Sequence, residues 1–283
     1  MYFKRHRRKL FRNFIVYFGL LLYLCFMLFP IYFAVVTSFK PNLELYNKGN
    51  NPLMVLGPTI EHFIYLFKKT SFLMWLKNSL MVAVCSTTIS ITIGTIAGYA
   101  IARLRYRGSQ AMAAAIFITY LVPTSLLFLP MANLIRELGL FDKQLALIIT
   151  YPTFMIPFCT LLMTGYFRGI PKELEECATV DGATRIQAFW KIALPLSLPG
   201  LVSAILFAFT MSWDEFLYAL VLTQSSTVKT LTVGVVSQLH LADVYFWGPL
   251  MAAALLGSIP IVILYSFFLE YYVKGLTAGA VKG

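Results

Sequence analysis

Charged residues are so sparse along this chain that long stretches carry none, and what lies between them follows neither a helical nor a two-residue alternation. Six runs are apolar over about 20 residues or more, the length a helix needs to cross hydrocarbon. They are Phe14 to Val36, Leu80 to Ala102, Ala111 to Leu134, Leu145 to Phe167, Leu196 to Leu222 and Trp247 to Val273, and within them the charges are Asp214, Glu215 and Glu270. The strands of a membrane barrel would alternate apolar and polar over segments of about 10 residues, and these runs do not. The pattern predicts an all-α membrane protein with six transmembrane helices, one domain over 14–273 between a basic tail, 1–13, and a short C-terminal tail, 274–283.

Two connections stand out. The segment 41–79 is punctuated by Gly49, Asn50, Asn51, Pro52, Gly57 and Pro58 before the apolar-aromatic patch His62 to Phe67. It predicts one short helix on the outer surface, either a cap over helix ends or a contact surface for an external protein. The segment 169–195 is a charged, amphipathic island between two apolar runs.

Composition agrees: 59% hydrophobic and 12% charged residues exclude a soluble globule. Lysine and arginine set the orientation. Fifteen lie before the first run, between the second and third, between the fourth and fifth, and after the sixth; eight lie in the alternate connections. Basic residues favour the cytoplasmic side, so both termini are expected there. The net charge of +11 sits next to span ends, where anionic headgroups attract it, so it does not argue for nucleic acid. The basic start followed by an apolar run imitates a secretory signal, but the run is too long and lacks a small-x-small site, so it is expected to stay as the first span.

Chemistry-bearing residues are few. Cys25, Cys85 and Cys159 fall inside runs and Cys177 on the island, with no C-x-x-C pair, which predicts reduced packing cysteines. His6, His62 and His240 are scattered and read as solvated loop residues, with no metal-ligand spacing. No G-x-x-x-x-G-K-[ST] loop is present, so energy from ATP would have to enter through another polypeptide.

The island carries the strongest local signals. Pro171 suits a helix start, Glu173, Glu175 and Glu176 suit its electropositive end, and Leu174, Cys177 and Ala178 form an apolar stripe. Asp181-Gly182 breaks that helix, and Ala183 to Lys191 resumes a helical pattern ending near Pro195, which predicts helix, turn, helix on the cytoplasmic face. Small residues would let this unit pack into a groove, with Glu175 and Glu176 available to a basic partner and Gly182 setting the turn.

Glu176, Ala178, Gly182, Ile192, Leu194 and Pro195 fit the spacing E-A-A-x-x-x-G-x(9)-I-x-L-P. In this the chain resembles the permeases of binding-protein-dependent ABC importers, with Cys177 standing where the family has alanine. The segments NSLMVAV from Asn78, ARLRYRG from Ala102 and KGLTAGAVKG from Lys274 resemble its carbohydrate branch, the smaller permease of maltose-type and multiple-sugar importers. The resemblance implies a complex in the bacterial or archaeal cytoplasmic membrane: a second permease, two ATPase subunits that bind ATP and Mg, and an external solute-binding protein delivering a sugar or oligosaccharide. It also implies a coupling helix between the fourth and fifth spans, with Glu175, Glu176, Cys177, Ala178, Asp181, Gly182, Ile192, Leu194 and Pro195 as ATPase-coupling residues, and no catalysis or cofactor on this chain.

Trp213, Asp214, Glu215, Phe216 and Tyr218 offer acceptors and aromatic faces suited to sugar hydroxyls and C–H surfaces. Asp214 lies about 27 Å along the fifth helix, near its outer end. Two readings stay open for these residues, lining of the substrate path or polar contact between helices. The same choice applies to Thr150, Tyr151, Thr153 and Thr160 in the fourth run, while Pro123, Pro130, Pro152, Pro157, Pro199 and Pro260 permit bends. An ion-coupled secondary transporter is the rival function, resting on Asp214 and Glu215. A membrane enzyme is poorly served by two adjacent acids that point about 100° apart.

Overall fold

The computed structural model describes residues 2–47, 49–104, 106–241 and 244–280. Lys48, Arg105 and Lys282, counted in the charge argument, and the last three residues of the C-terminal tail lie outside them. The chain is mostly helical and divides into two compact units, Met1–Thr70 with Val235–Ser258 and Ser71–Gly234 with Ile259–Gly283.

In the first unit, α1 runs from Tyr2 to Phe39 without a break, so the basic tail continues the first span helix. From residue 11 to residue 33 its side chains are exposed on every side, the surface of a helix meant for hydrocarbon or another chain. Two helices follow, α2 (Asn42–Leu45) and α3 (Glu61–Lys69), where one was expected. The loop joining them is tied by charge: Glu44 accepts from the N–H groups of Leu56 (3.1 Å) and Gly57 (2.8 Å), while buried Lys40 donates to the carbonyls of Asn51 (2.8 Å) and Pro52 (3.2 Å). His62 is not the solvated loop histidine expected. It is 1% exposed, hydrogen-bonds the Lys40 carbonyl at 2.8 Å, and packs where Gly248 has no side chain. The strands β1 (His240–Leu241) and β2 (Val244–Tyr245) pair antiparallel.

The second unit is built on α4 (Phe72–Arg103), which begins eight residues before the predicted second span. Gly94 and Gly98 bring it against α8 (Pro152–Gly169): a Cβ at Gly94 would stand 2.6 Å from that of Cys159, and one at Gly98 2.9 Å from that of Met163. Small residues four apart let two membrane helices approach closely where no hydrophobic drive separates protein from lipid. The third predicted span is two helices, α5 (Ser109–Leu121) and α6 (Thr124–Glu137), bent by 94° at Val122-Pro123. The preference of the residue before proline for extended backbone explains the corner. A seven-residue α7 (Gln144–Thr150) continues through Tyr151 into α8 as one span-length stretch.

Beyond α8 come α9 (Glu173–Val180), α10 (Arg185–Ala188), a π-helical turn over Phe189–Ala193, α11 (Leu194–Leu196) and α12 (Leu198–Asp214). The fifth predicted span is therefore not one helix to Leu222: α12 stops at Asp214, and α13 (Leu217–Leu222) starts after a break. Two last helices, α14 (Leu231–Leu239) and α15 (Trp247–Ala280), complete the order. Among the described residues four helices are long and apolar enough to cross a membrane, and six spans result if each of two bent stretches counts as one.

Candidate functional site

The island folds as its residues dictate. Three carboxylates, Glu173, Glu175 and Glu176, occupy the first turn of α9, where the unpaired N–H groups favour negative charge. The helix ends in a Schellman turn: Ala183 N–H reaches back to the Ala178 carbonyl (2.9 Å) and Gly182 N–H to that of Thr179 (3.1 Å). Gly182 has φ +88°, the left-handed conformation this turn needs, and open space around its Cα. Thr184 then caps α10 through a reciprocal pair with Gln187, at 3.3 and 2.8 Å.

What this turn exposes is apolar. Val180 is 88% exposed, Ile186 70% and Trp190 61%, with Glu176 and Cys177 exposed on the same element. The second half of the spacing motif behaves differently. Ile192 and Leu194 are half-buried, and Phe189 and Ala193 between and before them pack with Met163 and Phe167 of α8. The π-helical turn and Pro195 precede Ser197, where the axis bends by 75° into α12.

Glu175 is not available to a partner, contrary to expectation. Its Oε1 lies 2.6 Å from Nε of Arg103, its Oε2 accepts from the Tyr99 hydroxyl at 2.7 Å, and the Arg103 and Glu175 side chains are 6% and 12% exposed. Arg103 also donates to the Ile170 carbonyl at 2.8 Å. These residues border a cleft of about 560 Å³ lined further by Lys172, Glu176, Thr179 and Arg185.

At the other acid pair, Glu215 closes the break in the fifth run. It accepts from the N–H groups of Tyr218 (2.8 Å) and Ala219 (3.0 Å), satisfying the first turn of α13, and from the Tyr151 hydroxyl at 2.9 Å. Trp213 is buried, stacked on Phe209 at 5.6 Å, and buried Tyr218 donates to the Thr124 carbonyl at 2.8 Å. Asp214 and Phe216 are exposed. Tyr151 thus makes a helix–helix bond, Thr153 bonds the Thr150 carbonyl at 2.6 Å, and the Thr150 and Thr160 hydroxyls are buried with no partner in the structure.

Residues 90–278 match the family described as the binding-protein-dependent transport system inner membrane component. The chain belongs to this family. The inner membrane ABC transporter permease protein YcjP of Escherichia coli is 35% identical over 94% of the chain and 95% of its own length. The trehalose/maltose transport system permease protein MalG of Thermococcus litoralis is 30% identical over 98% and 99%. A crystal structure of a bacterial ABC transporter that imports the acidic polysaccharide alginate shares the fold, with a TM-score of 0.78 at 22% identity over 92% of this chain and 97% of that one.

The protein is thus an ABC importer permease, a non-catalytic membrane subunit whose ATPase is a separate chain. That overturns the ion-coupled alternative, and one of the two acids it rested on, Glu215, is occupied as a helix cap. Sequence reasoning also missed the polar clamp made by Asn78 in the permease. Asn78 donates to the carbonyls of Thr227 (2.8 Å) and Lys229 (2.9 Å) and accepts from Gln144, while Ser79 accepts from Leu231 N–H at 2.8 Å. An amide at the head of an apolar run was the available signal.

Proposed function

We propose that this permease pairs with a second, homologous permease to form the path for a sugar or oligosaccharide handed over by an external binding protein. Two partner ATPases, which hold ATP and Mg, drive alternating access, one of them docking on the α9–Gly182–α10 turn of this chain. Both bent stretches count as spans in this reading, giving six. The tails 1–13 and 274–283 and the segment 169–195 face the cytoplasm, and 41–79 faces outward. The asymmetric distribution of lysine and arginine supports that orientation.

One observation carries the docking assignment: a turn held by the backbone bonds around Gly182 and by the Thr184–Gln187 cap leaves Val180 88% and Ile186 70% exposed. Exposed apolar side chains on a short, rigid, non-spanning element suit a protein groove. Sugar as the cargo rests on relatives named for trehalose/maltose, diacetylchitobiose and sulfoquinovosyl glycerol transport. Asp214 and Phe216 remain as path-lining residues, whereas Trp213, Glu215 and Tyr218 act through helix contacts.

The test is capture of the ATPase from solubilised membranes by the wild type, Glu176→Lys and Gly182→Asp, followed by ATP hydrolysis with candidate sugars and binding protein. Capture by the wild type, loss in both variants and stimulation by one loaded binding protein would establish the reading and name the sugar. Failure of the wild type to capture any ATPase would end it.

A further inference from the structure

The α9–α10 turn must pass motion to the spans, and its visible covalent route runs through the π-helical turn and then the 75° bend at Ser197 into α12. A break of that size between two helices is a poor lever, because a push along the first axis is turned aside there. A second, non-covalent route exists. Arg103 closes the last turn of α4, and its guanidinium reaches both Glu175 in α9 and the Ile170 carbonyl that ends α8, at 2.6 and 2.8 Å. Tyr99, one turn earlier on α4, holds the other oxygen of the same carboxylate at 2.7 Å and packs against Phe167 and Phe189 at ring separations of 5.4 and 4.7 Å.

We infer that Arg103 and Tyr99 are positioning residues for coupling: they clamp Glu175 so that a push on α9 moves α4 and α8 as one body. Three features support this. The clamp grips one carboxylate from two sides, which fixes α9 in direction as well as distance. The ion pair is largely shielded, its side chains 6% and 12% exposed at the edge of the cleft, so solvent screens it weakly. Finally, α4 is already seated on α8 at Gly94 and Gly98, where it contributes no side chain and Cys159 and Met163 of α8 pack directly on its backbone, so force entering α4 meets little soft material.

The inference rests on the docking assignment for α9 and deepens it. Its experiment is built to fail separately. The importer, reconstituted in vesicles with its ATPase and loaded binding protein, is assayed for sugar uptake per ATP hydrolysed, in the wild type and in Arg103→Gln, Glu175→Gln, their double variant, Arg103→Lys and Tyr99→Phe. ATPase capture is measured for each. The clamp predicts that both single variants capture the ATPase yet lose at least tenfold in uptake per ATP, that the double variant is no worse than either, that Arg103→Lys regains part of the ratio, and that Tyr99→Phe loses about twofold. Uptake per ATP at the wild-type level in Arg103→Gln would overturn the clamp while leaving docking intact. Loss of capture in Arg103→Gln would overturn it as well, making the pair part of the docking surface or of the fold. If the wild type itself captures no ATPase, the docking assignment is what has failed.

Discussion

Two places in this permease carry adjacent carboxylates, Glu175-Glu176 at the start of α9 and Asp214-Glu215 at the end of α12, and the fold treats them alike up to a point. In each pair one acid is spent inside: Glu175 on Arg103 and Tyr99, Glu215 on Tyr151 and the first N–H groups of α13. In each the neighbour is exposed, as adjacent residues on a helix must diverge. The difference lies in the company the exposed acid keeps. Around Glu176 the turn presents Val180, Ile186 and Trp190, at 61–88% exposure, whereas near Asp214 the large side chains Trp213 and Tyr218 are buried and Phe216 is 37% exposed. The first surface has the exposed apolar character that the docking proposal requires; the second is a break in a helix that the protein itself has closed. A pair of acids in an apolar chain therefore says little until the fate of its neighbours is known.

Changes at the two places should differ most at the exposed apolar turn. Val180→Asp is expected to weaken ATPase capture at least tenfold, about 1.4 kcal/mol or more, without moving the thermal midpoint of the permease alone, because Val180 contacts almost nothing. Capture unchanged by this substitution would erase the contrast. Glu215→Ala should act in the opposite way. It strands the Tyr151 hydroxyl and uncaps α13, costing about 1–3 kcal/mol, seen as a lower thermal midpoint in detergent with ATPase capture retained. Gly98→Val would force α4 off α8 and disturb both places, lowering the midpoint by an overpacking cost of about 1–3 kcal/mol. Asp214→Asn should leave stability within about 0.5 kcal/mol, and a changed apparent affinity for sugar would mark it as path-lining.

The smallest effect is expected at Asp142, between α6 and α7. Burial would raise its carboxyl, but hydrogen bonds from the Ser225 hydroxyl and the N–H groups of Gln224 and Ser225 outweigh that and hold it below the ordinary carboxylate value. A group depressed in the folded state adds stability above its unfolded value, about 3.9, and loses it as pH falls through the folded one. Asn at 142 tolerates the positive φ of 57° there, so Asp142→Asn should flatten the acid limb of a midpoint-versus-pH curve by lowering the midpoint slightly at neutral pH, where the carboxylate's contribution is fully present, and converging with the wild type in acid.

How far the sequence speaks depends on how local each cause is. The α9 turn was legible because its causes are neighbours: Gly182 for the left-handed turn, Thr184 and Gln187 for the cap. The apolar runs told where helices lie but not where their axes turn, since continuous apolarity carries no direction. Pro123 was one of six prolines read as permitting bends, and nothing local singled it out as the 94° corner. At Glu215 an acid three residues before the N–H it caps was a readable helix-start signal, hidden by the unbroken hydrophobicity on both sides. Arg103 and Glu175, 72 residues apart, and His62 against Gly248 share no local pattern, so the burial of those polar groups could be seen only in three dimensions.

The most direct test places one photo-crosslinking residue at Val180 or at Asp214 in the assembled, ATP-hydrolysing importer. A crosslink to the ATPase chain from position 180 and none from position 214 is the predicted result. A crosslink from 214, or none from 180 in a complex that hydrolyses ATP, would contradict the claim that the α9–α10 turn is where the ATPase takes hold.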